Sequence, residues 1–88
     1  MDIQDPEVQQ VLDLISRHCP YAMGTYLQCV NRGDSKGEML FSKDVVEVEM
    51  SNDWRKFKKD IKALARENLL YWSPLNDGIA VCMAMKHD

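Results

Sequence analysis

Residues 51–72 read SNDWRKFKKDIKALARENLLYW, with six Lys/Arg side chains in a chain whose formal net charge is −3. Ser51, Asn52 and Asp53 can each cap a helix. Trp54, Phe57, Ile61, Leu64 and Ala65 recur at helical spacing and form one apolar stripe. At about 100° per residue, Arg55, Lys59, Lys62 and Arg66 fall within about 40° of one another, with Lys58 beside them. The centre of this basic ridge lies roughly 140° from the centre of the apolar stripe. The segment therefore predicts an amphipathic helix over 52–67 that turns its positive charge outward. Asn68 follows where a left-handed residue ends a helix, a conformation Asn tolerates.

The rest of the chain is acidic. Residues 1–50 hold four Lys/Arg against nine Asp/Glu, and residues 51–88 hold seven against five. Such segregation says more about partners than the total does. Eighty-eight residues with 45% apolar and 28% charged side chains make one globular domain with a modest core. At this size dimerisation is a natural source of added stability. Three cysteines, Cys19, Cys29 and Cys82, are an odd count and argue against a disulfide framework. The N-terminal MDIQDPEVQQ lacks the apolar centre of a signal peptide, and no apolar run approaches the ~20 residues of a membrane span. A cytoplasmic protein with no membrane contact is expected.

Upstream, Asp5, Pro6 and Glu7 start a helix over 6–18, with Val8, Val11, Leu12 and Ile15 on one face. Cys19–Pro20 ends it. A second helix is predicted over 20–31, with Met23, Tyr26, Leu27 and Val30 sharing a face. NRGDSKGE (31–38) reads as a loop. It lacks the spacing of a phosphate-binding loop. MLFSKDVVEVEMS (39–51) is ambiguous: Phe41, Val45 and Val48 have helical spacing, whereas Val46, Val48 and Met50 alternate with glutamates as in a strand. Downstream, LLYWSPLNDGIAVCMAM predicts a hairpin with strands over 69–73 and 79–85, turned by Pro74, Asn76, Asp77 and Gly78. Ile79, Val81, Met83 and Met85 share one face. Ala80, Cys82 and Ala84 share the other, small enough to pack against a helix.

Phe41, Ser42, Val46, Met50, Phe57, Ile61, Leu64, Asn68 and Leu69 follow the spacing of a winged helix-turn-helix domain, and the chain resembles that superfamily from about Leu40 to Met85. The resemblance resolves the ambiguous segment as a helix over 42–50. It implies a mainly α single domain with a C-terminal β-hairpin, residues 6–31 forming an N-terminal helical extension suited to dimerisation. Two positions depart from the pattern. Glu47 stands where a small residue is usual at the helix crossing, and Ser51–Asn52 replaces the usual turn glycine, with Asn52 able to take a positive φ.

The resemblance implies a small DNA-binding protein, a transcriptional or replication regulator acting as a dimer on double-stranded DNA. Asn52, Arg55, Lys56, Lys58, Lys59, Lys62 and Arg66 are the expected DNA contacts, since Lys and Arg neutralise phosphates and Arg or Asn read base edges. The hairpin tip SPLNDG carries Asp77 and no cation, and Glu47 and Glu49 are also unfavourable to phosphate. The second expectation is a protein-interaction module, an adaptor or inhibitor that meets an acidic partner surface. Its anchors would be Tyr71, Trp72, Leu75, Tyr21 and Tyr26. The plainer reading of the basic ridge is a solvated helix face supported by pairs such as Lys56–Asp60. No metal site is expected, because His18, Cys19 and Cys29 lack the usual ligand spacing. No catalytic residues or cofactor are expected either: His18 adjoins Cys19, and neighbours on a helix point apart.

Overall fold

The computed structural model describes residues 3–34 and 37–83. Helices and a small antiparallel sheet share one core. Helix α1 spans Pro6–His18. Its cap is as expected, the Asp5 carboxylate accepting from the Glu7 N–H at 2.8 Å. Val8 and Ile15 are buried, and Val11 and Leu12 pack beside them. Pro20 opens a 3-10 turn, Pro20–Ala22, rather than the α-helix itself. Helix α2 then runs Met23–Arg32. Its buried face is Thr25, Tyr26, Cys29 and Val30. Met23 and Leu27, assigned to that face from their spacing, are only half-buried.

Strand β1, Glu38–Ser42, lies where a loop end and a helix start were expected. It turns Met39 and Phe41 inward and Glu38 and Leu40 outward. The helix expected over 42–50 is instead a short π-helical segment, Val45–Glu49. The Met50 N–H donates to the Val45 carbonyl, five residues back. Ser42 still serves as a cap, its hydroxyl accepting from the Val45 N–H at 3.2 Å. Val46 and Met50 point into the core as the spacing required, but Val48 is exposed. A wider π turn keeps Val46 and Met50 on one side of a very short element and leaves Val48 to solvent. Ser51, not Asn52, takes the positive φ of the following turn, at 52°.

Helix α3 spans Trp54–Arg66, two residues shorter at its start than the capping residues suggested. Asp53 is the cap, accepting from the Lys56 N–H at 2.8 Å. The chain leaves α3 through Asn68 at φ 59°, the left-handed residue expected there. Strands β2, Leu70–Leu75, and β3, Gly78–Met83, form the hairpin. The sheet order is β1-β3-β2, all antiparallel. The C-terminal ribbon is thus three-stranded, with β3 in the middle. Pro74 lies on the edge strand β2, where a missing N–H breaks no ladder to a further strand. Met85, placed on the inward face by its spacing, lies outside the described residues.

Cross-strand register puts Met39, Val81 and Trp72 in one row and Phe41, Ile79 and Pro74 in the next. These rows meet Phe57, Ile61 and Leu64 of α3, and the α1 and α2 residues close the same core. The 6–31 region is therefore an integral wall of the domain. The opposite sheet face, with Ala80 and Cys82, is not packed under a helix as expected. It lines a shallow surface groove with Leu40 and Tyr71.

Candidate nucleic-acid interface

Helix α3 is held on its inner side by Phe57, Ile61 and Leu64, all fully buried. That fixes the direction of the other side. Arg55, Lys59, Lys62 and Arg66 are exposed, and Lys58 is half-buried beside them. A rise of about 1.5 Å per residue strings Arg55 to Arg66 along roughly 16 Å of helix axis. Among the described residues, none of these five cations takes part in a salt bridge. Arg55 and Lys59, Lys58 and Lys62, and Lys62 and Arg66 are like-charge neighbours at four-residue spacing. Each such pair costs a few tenths of a kcal/mol.

Lys56 behaves differently. Its ammonium donates to the Asp60 carboxylate and to the Tyr21 carbonyl. The same Asp60 oxygen accepts from the Thr25 hydroxyl at 2.7 Å. Asp60 is only 2% exposed, so these two donors stand in for water around its charge. Asn52 is also drawn inward. Its amide donates to Gln28 Oε1 at 2.8 Å and to Thr25 Oγ1 at 3.4 Å. The Gln28 amide in turn donates to the Met50 carbonyl at 2.9 Å. Asn52 thus ties α2, and Lys56 the 3-10 turn before it, to the start of α3, leaving Arg55, Lys58, Lys59, Lys62 and Arg66 without such ties. The Thr25–Asp60 link escaped sequence reasoning, although a lone Asp on the apolar side of α3 was the available signal.

The nearby carboxylates are partly occupied. Glu47 Oε2 accepts from the Trp54 N–H at 3.4 Å, at the N-terminus of α3, where the helix dipole favours a negative charge. Glu49 faces Arg32 at 3.5 Å. Asp77 is exposed at the hairpin tip, in the two-residue turn between Leu75 and Gly78.

Of the aromatic anchors, Tyr26 is buried in the core and offers no surface. Burial, with Cys29 and Asp5 contributing, pushes its phenol up to about 12. Trp72 is half-buried, while Tyr21, Tyr71 and Leu75 are exposed. The cysteines are unbridged. Burial pushes the Cys29 thiol up to about 12. Burial first, then the charges of Glu67 and Asp60, raises Cys19. His18 is exposed on α1. Among the described residues no group of three or more His, Cys, Asp or Glu is placed to hold a metal ion, and no helix is long and apolar enough to cross a membrane.

Against known proteins, no family model, no curated protein and no solved structure matches the chain. The fold is a mixed one, helices with a three-stranded antiparallel sheet.

Proposed function

We propose that this protein is a small winged-helix module that binds double-stranded DNA through the outer face of α3. The observation that carries the reading is the exposed cationic stripe of Arg55, Lys59, Lys62 and Arg66, flanked by Lys58 and without a salt bridge among the described residues. A merely solvated helix would gain from interspersed carboxylates, as α1 does with its Asp13–Arg17 pair. On α3 the one carboxylate within the helix, Asp60, is turned inward. Further support comes from the element order. Helix α2, strand β1, the π-helical segment, α3 and a β2–β3 hairpin follow one another as helix, strand, helix, recognition helix and wing do in that superfamily. Binding of this kind draws its affinity from phosphate neutralisation. The hairpin tip adds no cation, so a few contacts per chain make a weak monomeric binder. A dimer acting as a transcriptional or replication regulator follows from that weakness.

A mobility-shift series with random duplex tests the reading. With about four phosphates neutralised per chain, the logarithm of affinity should fall with the logarithm of salt at a slope of about −3 to −4 for one chain and about −7 for the dimer. Arg55→Glu with Lys59→Glu should abolish binding. No shift at low salt overturns the proposal.

A protein-interaction module is the second reading, and one observation favours it. The outer sheet face exposes Leu40 at 72%, Tyr71 at 64% and Leu75 at 48%, anchors of the kind enriched at interfaces. Sheet-face substitutions that impair the protein's activity in the cell, with duplex binding absent, would favour that reading.

A further inference from the structure

Beside the cationic stripe, α3 and the β2–β3 hairpin enclose a groove of about 390 Å³. That is the size of clefts that take small organic groups, roughly 300–1,000 Å³. Its walls combine two features, of which the duplex reading uses only Lys58 and Lys62. The first is a pair of half-buried indoles, Trp54 at the start of α3 and Trp72 on β2. The second is a set of three ammonium groups, on Lys43, Lys58 and Lys62. Two of these rest on the rings. Lys58 Nζ lies 5.3 Å from the Trp54 ring centroid, and Lys62 Nζ lies 5.6 Å from that of Trp72. Trp54 is braced from behind by Phe57, stacked at 6.1 Å with the planes 9° apart.

We propose that this groove seats an unpaired nucleotide of a nucleic-acid strand, its base on an indole and its phosphate among Lys43, Lys58 and Lys62. The proposal deepens the reading above and rests on it. A base stacked on an aromatic side chain is held more strongly than an ammonium over a partly exposed ring. A base can therefore displace the ammonium from the ring, and the freed ammonium, on its flexible stem, reaches the phosphate that arrives with it. The placement of Asp77 favours an unpaired nucleotide over a duplex backbone here. A duplex strand running from α3 to the hairpin tip would bring a phosphate onto the Asp77 carboxylate. A base edge at the same place meets an acceptor in Asp77 and an amide in Asn76, both lining the groove.

The test titrates tryptophan fluorescence of the full chain with short oligothymidylate and, separately, with blunt duplex. Oligothymidylate is expected to quench the fluorescence. Trp72→Leu or Trp54→Leu should weaken its binding about tenfold, and Trp72→Phe should restore most of the Trp72→Leu loss. Lys58→Ala with Lys62→Ala should lower the salt slope by about two. Arg55→Glu with Lys59→Glu should abolish duplex binding yet retain oligothymidylate quenching. Urea midpoints identify any variant that loses its fold, and Trp72→Phe and the lysine variants carry the test if the leucine variants do. If duplex binds through Arg55 and Lys59 while oligothymidylate neither quenches nor responds to the tryptophan substitutions, the groove proposal falls and the duplex reading stands. If neither nucleic acid binds, both fall.

Discussion

Asp60 puts a carboxylate at the contact of α2 with α3, where it is almost wholly shielded from water. It is tolerated there because Thr25 and Lys56 both donate to it. Lys56 keeps about half its side chain in solvent, so the Thr25 hydroxyl is the buried member of the pair of donors. Thr25→Val keeps the shape and removes that donor, and is expected to lower stability by about 1–3 kcal/mol in urea unfolding. A change under a few tenths would show that water replaces the hydroxyl. Cys29 gives a pH signature. Its thiol is raised from 9.0 to about 12 by burial, so the unfolded chain loses the proton before the folded one does. The stabilising contribution is full below pH 9 and is lost progressively as pH rises from about 9 towards 12. Tyr26, raised from 10.0 to about 12, acts in the same direction. Urea midpoints measured across this range should fall, and Cys29→Ala, though less stable at neutral pH, should fall less steeply.

Among the elements, β1 depends most on distant residues. It has five residues, and among the described residues its only strand partner is β3, about forty residues later in the chain. Gly78 makes the join possible. A Cβ there would sit 1.9 Å from the Phe41 carbonyl oxygen, a distance backbone cannot tolerate. Gly78→Ala should therefore part the Ser42 end of β1 from β3 and cost about 1–3 kcal/mol, with faster amide exchange at Phe41 and Ser42 as the local readout. Helix α3 has the opposite character. Its cap, its apolar stripe and its left-handed exit all lie within residues 53–68, so its boundaries were nearly legible from local sequence. The same stretch misled at two points. Asn52 and Lys56 lie beside the basic ridge in sequence, but Gln28 and Thr25 draw Asn52 inward, and the Lys56 ammonium is engaged by Tyr21 and Asp60. Three of those partners belong to the earlier half of the chain.

For the molecule as a whole, one core joins α1, α2, α3 and the inner face of the sheet, and the charge that the core excludes is not evenly spread. The stripe on α3 carries repulsion that folding must overcome. Lys59→Glu would replace two like-charge contacts, with Arg55 and Lys62, by two attractive ones. It is expected to raise stability by about 0.5–1 kcal/mol at low salt while weakening duplex binding. The gain should shrink as salt screens the stripe, which paired urea series at low and high ionic strength would show. A stability loss in this variant would mean that the stripe is not under repulsion, and would weaken the functional reading with it.

The amphipathic period of α3, the caps at Asp5 and Asp53, the left-handed Asn68 and the β2–β3 hairpin were set by residues near one another in the chain, through hydrogen bonds and burial that a short stretch can make with itself. So was the outward direction of Arg55, Lys59, Lys62 and Arg66, because a helix with one buried side leaves no choice for the other. Tertiary structure alone decided that 38–42 is a strand, since an isolated five-residue segment gains its ladder only when β3 is beside it. It also decided which polar residues of the basic segment face inward. A buried carboxylate needs donors, and the one supplied to Asp60 from outside α3 came from Thr25 on α2.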